Sequence, residues 1–209
     1  MTTLPRRRIF LLSPAHAGGI RARLLLRPEA SFDLAARLRR EGVPLGEAFS
    51  FISGLYFRGK LAYAAAFANP PEGVPGTFVI ASGCGLVLPE TVVTLDQLQR
   101  IASIPIDAAE ARYREPLETA CRSLGEMAGA NCDFVLLGSV ATLKYVEPMS
   151  AIFGPHLLFP EEFVGRGDMS RGGLLLRSVH SRVELAYAPA GAVTRHGPRP
   201  PKLPPYARW

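Results

Sequence analysis

Two hydrophobic patterns alternate along this chain. Short unbroken apolar runs, flanked by Ser, Pro or Gly, predict strands buried on both faces over residues 8–13, 77–81 and 133–137. Residues 156–159 and 183–188 are two further strand candidates. Between the runs, apolar positions recur at helical spacing. An amphipathic helix over 31–38 ends before Gly42 and Pro44, with Arg37, Arg39 and Arg40 on its solvated side. Phe49, Ile52, Tyr56, Leu61, Ala64 and Ala65 predict one or two helices within 45–67, separated near Gly59. Helices are also expected over 94–101 and 108–127, and Thr94 with Gln97 fits a capping box. After the third strand, Gly138-Ser139 leads directly into a helix ending near Gly154-Pro155.

Strands that alternate with helices predict an α/β fold with a mainly parallel central sheet flanked by helices. Ligands of such sheets bind beyond the carboxyl ends of the strands. Residues 1–194 are expected to form one such domain, followed by an extended Pro-rich tail over 195–209. The tail segment from Arg199 to Tyr206 has two readings: a polyproline II strand that docks on a protein partner or a second subunit, or a segment packed over its own domain.

Composition narrows the picture further. The 209 residues are 48% hydrophobic and 20% charged, which supports one well-packed core rather than disorder. A formal charge of +6 makes polyanions and phosphorylated ligands plausible partners. Cys84, Cys121 and Cys132 are too few and too scattered for a disulfide framework, so a reducing, cytoplasmic setting is expected. No apolar stretch approaches the ~20 residues that span a bilayer. His16, His156, His180 and His196 lack metal-ligand spacing, so no metal site and no cofactor are expected.

Four segments carry candidate chemistry. Ser139 and Lys144 sit where a helix opening after a buried strand would point free N–H groups at an anion. Residues 165–173 read as a loop whose glycines, Gly167 among them, let backbone approach a ligand; Arg166 and Arg171 can fork to phosphate, and Asp168 or Ser170 caps the next helix. In Tyr56-Phe57-Arg58-Gly59-Lys60, an aromatic ring beside two cations can stack on a base while Arg58 and Lys60 pair with phosphates; Tyr145 is a second stacking candidate. Ser13, His16 and Arg21 follow the first strand and fall near the sheet's ligand edge. No GxSxG elbow is present, and Cys84 between two glycines reads either as a nucleophile or as a buried small hydrophobe.

Taken in order, the segments IFLLSPA, FRGKLAYAAAF, FVIASGCGLVLPETVVTL and FPEEFVGRGDMSRGGLLLR resemble the YaaA family of peroxide stress proteins and its uncharacterised relatives over most of residues 8–178. By position the likeness touches Ser13, Ser82, Gly85, Pro89, Gly165 and Gly167. It implies a setting of oxidative stress and DNA protection without specifying a reaction. The function expected is therefore binding, and possible processing, of a nucleotide or nucleic acid, with Asp168 as the acid/base carboxylate. The alternative is a non-enzymatic interaction protein that works through its Pro-rich tail.

Overall fold

The computed structural model describes residues 6–191, 197–198 and 200–203. The first apolar run forms β1 (Arg7–Leu12), with Ile9 to Leu12 wholly buried. Helices α1 (Ile20–Leu26) and α2 (Asp33–Arg40) follow, then the short β2 (Val43–Pro44) and the consecutive helices α3 (Leu45–Ser53) and α4 (Leu55–Phe67). Next, β3 (Thr77–Ala81) turns tightly into β4 (Gly85–Val87), and β5 (Val92–Val93) pairs with β2. Helix α5 (Leu95–Ser103) opens with the expected capping box of Thr94 and Gln97, and α6 (Ala111–Ala128) leads into β6 (Cys132–Leu137). The chain continues through α7 (Leu143–Phe153), β7 (Leu157–Pro160), α8 (Asp168–Ser181) and β8 (Tyr187–Pro189).

The main sheet has the order β4-β3-β1-β6-β7-β8, with the four inner strands parallel and both edge strands antiparallel. Helices cover both faces. Phe134 of β6, in register with Ile9, stacks on Phe153 of α7, with ring centroids 3.9 Å apart. Phe10, one residue further along β1, packs edge-on against Tyr63 of α4 at 5.6 Å. Successive strand residues point to opposite faces, so α4 and α7 lie on opposite sides. The connection from β1 runs to β3 on one side, and that from β6 runs to β7 on the other. Strand order therefore reverses between β1 and β6, which opens a crevice at their carboxyl ends.

Three expectations are corrected. The helical break falls at Gly54, not Gly59: Gly54 takes φ 60° and its N–H closes α3 on the Ser50 carbonyl. Gly59 lies inside α4, where its bare backbone meets Gly172 of α8. A Cβ at 59 would stand 2.9 Å from the Gly172 carbonyl oxygen, and one at 172 would stand 2.8 Å from the Tyr56 Cα. The expected loop over 165–173 is accordingly helical from Asp168 onward, and Gly172 serves helix packing rather than a ligand. The last strand begins at Tyr187; Val183 is 63% exposed and unpaired in the sheet.

Hydroxyls fix β8 to the core. The Tyr63 hydroxyl accepts the Leu185 N–H at 2.9 Å and meets the Tyr187 hydroxyl at 2.6 Å. Tyr187 in turn donates to Glu184 at 2.8 Å, and Glu184 also pairs with Arg8 of β1. Burial pushes the Tyr63 hydroxyl up to about 12. Of the described tail residues, the Pro201 carbonyl accepts from Arg166 at 3.3 Å and Leu203 lies beside Gly173. Arg195, Arg199, Pro204, Pro205 and Tyr206 lie outside the described residues. Among the described residues no helix is long and apolar enough to cross a membrane.

The glycine contact between α4 and α8 yields a paired prediction. Gly172→Ala drives a methyl into backbone and is expected to cost ~1–3 kcal/mol in urea unfolding. Gly173→Ala meets only the Leu203 side chain, at 3.6 Å, and is expected to be neutral or stabilising.

Candidate functional site

The crevice is built from the ends of two strands. Ser13 extends the β1–β6 ladder by one bond, its N–H donating to Leu137 O at 3.1 Å, and its hydroxyl donates to the same carbonyl at 3.2 Å. Gly138 follows at once, and a Cβ there would stand 2.9 Å from the Ser13 Cβ. Only glycine lets the two strand exits lie this close.

Over this floor stands a cavity of about 160 Å³. Ser13 to His16 wall it from the segment after β1, Ser139 from the loop after β6, and Ser53 with Tyr56 from the α3–α4 joint. Lys144 and Tyr145 enter from the first turn of α7, and Asp168 and Arg171 from that of α8. Neither Thr142 nor Gly167, the N-cap residues of these helices, makes a side-chain capping bond. Both helices therefore bring their positive ends to the cavity with no cap side chain on their first N–H groups. A second cavity of about 290 Å³ shares Pro14, Ala15, His16, Ile106 and Lys144 with the first and is otherwise mostly apolar, with Leu26, Phe49, Ile52, Leu98 and Ile101 in its wall.

Three groups set the electrostatics. Lys60, on the inward face of α4, is 1% exposed beneath Ser13. Its ammonium donates to the Ser13 carbonyl and, at 3.1 Å, to the Ser13 hydroxyl, and lies 4.6 Å from the ring centres of Tyr56 and Phe57. Burial without a paired carboxylate brings its pKa down to about 7; Asp168 pulls the other way and Arg171 adds to the fall. Arg171, 8% exposed, donates through Nε and Nη2 to the Phe163 carbonyl at 3.2 and 3.1 Å, while its Nη1 stands 3.9 Å from Asp168. The Tyr56 hydroxyl is buried against the cavity, with its pKa raised by desolvation and drawn partly back by the neighbouring Arg171 guanidinium, and it completes no well-aligned hydrogen bond among the described residues.

Of the residues singled out in the sequence, Ser13, Tyr56, Ser139, Lys144, Tyr145, Asp168 and Arg171 line this one cavity, and Lys60 lies under it. His16 borders both cavities. Other residues fall elsewhere. Arg58 is exposed on α4 and lines neither cavity; Arg166 binds the Glu162 and Pro201 carbonyls and the Ser170 hydroxyl; Gly167 only precedes α8. Tyr56 and Tyr145 are each 5% exposed, so neither presents an open ring face for stacking. Helix α7 does not follow β6 directly: residues 138–142 intervene, and Ser139 accepts the Ala141 N–H at 3.3 Å within that loop. Cys84 is exposed on the β3–β4 turn rather than buried. Tyr113, not anticipated, donates to the Lys144 carbonyl at 2.9 Å and anchors the first turn of α7; in sequence it is only one more apolar position of α6.

These features define a doubly wound α/β domain with a cation-lined crevice at the reversal of strand order. Compared with known proteins, the chain matches no family model, no curated protein and no solved structure.

Lys60 makes stability depend on pH in a defined direction. Between its ordinary value of 10.5 and about 7, the unfolded chain holds a proton that the folded chain has released. Stability contributed at this site therefore falls as pH is lowered through that window and levels off below it. The melting temperature of the wild type minus that of Lys60→Met is expected to rise from pH 7 to 9.5, at up to about 1.4 kcal/mol per pH unit in the underlying free energy. A pH-independent difference contradicts the assignment.

Proposed function

We propose that the crevice between the ends of β1 and β6 binds a phosphate-bearing ligand, a nucleotide or the phosphates of a nucleic acid. The observation that carries this is convergence: Lys144, Arg171 and the first turns of α7 and α8 meet at one cavity, where the sheet's strand order reverses. A phosphate satisfies what the site leaves open. It accepts from the helix N–H groups and from the Tyr56 hydroxyl, and it offsets the charge of Arg171. The adjoining apolar cavity suits a base or another flat apolar group next to the phosphate, and the two volumes together fall within the ~300–1,000 Å³ typical of small-molecule sites. The net charge of +6 favours polyanions, and the YaaA-like segments support a setting of stress response and DNA protection.

The test is thermal stabilisation by nucleosides, nucleoside mono- and diphosphates and short DNA and RNA at two salt concentrations. Phosphorylated ligands are expected to raise the melting temperature where the matching nucleosides do not, as for ~2–3 kcal/mol of stabilisation at a hundred-fold excess over Kd. Lys144→Ala removes the shift and Arg58→Ala keeps it. A shift of equal size with nucleosides, or one untouched by Lys144→Ala, overturns the proposal. Salt-sensitive stabilisation by polymers alone identifies the ligand as nucleic acid.

A further inference from the structure

Building on the phosphate-binding reading, we propose that Ser13 is a nucleophile, served by Lys60 as its base, that accepts a phosphoryl group from a phosphate ester held in the crevice. Three observations meet at this serine. Among the described residues, Ser13 is the one hydroxyl that both walls the cavity and lies within 3.1 Å of a buried amine. It stands at the carboxyl end of β1, beside the reversal of strand order, where a ligand is expected. Lys60 also has no carboxylate hydrogen-bonded to it, so its surroundings favour the neutral amine that a base requires.

The charges around Lys60 come from three elements. On α8, Arg171 disfavours its protonation and Asp168 favours it; on α4 the Tyr56 hydroxyl stays neutral; from the exit of β1 come the carbonyl and hydroxyl of Ser13. A neutral amine keeps one N–H on the Ser13 carbonyl and turns its lone pair to the hydroxyl. The Ser13 hydroxyl then has two acceptors to choose between, the Leu137 carbonyl at 3.2 Å and the Lys60 amine at 3.1 Å. The same placement of a lysine beside a serine serves nucleophilic catalysis on unrelated folds.

The Ser13 oxygen bonds to phosphorus, its proton passes to Lys60, and the leaving oxygen departs with the electron pair of the broken P–O bond and takes a proton from water. Water then displaces the phosphoryl group from Ser13, whose oxygen recovers its proton from Lys60. The water's own proton restores the one drawn by the leaving group. Arg171, Lys144 and the helix ends offset the charge that gathers on the transferring oxygens.

Diisopropyl fluorophosphate tests the first half of this cycle, since it places its phosphoryl group on an activated serine with loss of fluoride. Labelling of the full chain is followed by intact mass and peptide mapping between pH 5.5 and 9. A single adduct on Ser13 is expected, forming faster as pH rises and levelling off above about 7. Lys60→Met is expected to slow it by ~100-fold or more, with circular dichroism confirming the fold, and Lys60→Arg is expected not to restore it. No adduct on Ser13 in the wild type, an adduct on Ser139 instead, or a Ser13 rate that ignores both pH and Lys60→Met overturns the proposal. Nucleotide-dependent melting shifts without a Ser13 adduct would sink the nucleophile and leave the binding reading intact. An adduct without melting shifts would do the reverse.

Discussion

An amine sealed under the ends of two parallel strands is the constraint around which this molecule is organised. Lys60 cannot reach water, and its hydrogen bonds run to the backbone and side chain of Ser13. Those bonds tie the exit of β1 to the middle of α4, so helix and sheet are not free to slide past each other. A buried donor left without acceptors costs more than a made hydrogen bond contributes. The exit of β1 is therefore held in place by what its displacement would leave unsatisfied.

The position of α4 is fixed from its other side by α8. With glycine at both 59 and 172, the two helices approach until backbone touches backbone, which brings Arg171 and Asp168 to the same end of the sheet as Ser13 and Tyr56. The cluster of charges thus depends on two side chains that are absent. On the opposite face, Tyr113 holds the first turn of α7 by its carbonyl and so places Lys144. Each polar group of the crevice is carried by a segment whose own position is set by packing, the condition under which weak individual contacts can orient a ligand.

The unbroken apolar runs made the inner strands readable, because a strand covered on both faces has no polar positions to hide it; the order of those strands had no counterpart in the sequence. The helical reading of 45–67 was sound but its joint was misplaced, since glycine at 54 and glycine at 59 look alike in sequence while one turns the chain and the other admits a neighbour. The same ambiguity made the start of α8 read as loop. Ser13, Lys144 and Arg171 were visible as residue types suited to an anion, whereas the pairing of Lys60 with Ser13, 47 positions apart, follows only from the way α4 crosses the end of β1. Arg58 and Arg166 show the converse: their charge is evident in sequence, but α4 turns one outward and the other is taken up by carbonyls of its own loop and tail.

The two antiparallel strands that border the sheet carry a consequence for assembly. β4 and β8 are three residues each, and Pro189 at the end of β8 has no N–H to offer. A sheet grows by adding a strand to an open margin, and both margins here are too short to template one. Among the described residues the broader surfaces of the domain are its helical flanks, where side chains rather than main-chain ladders would decide which partner fits.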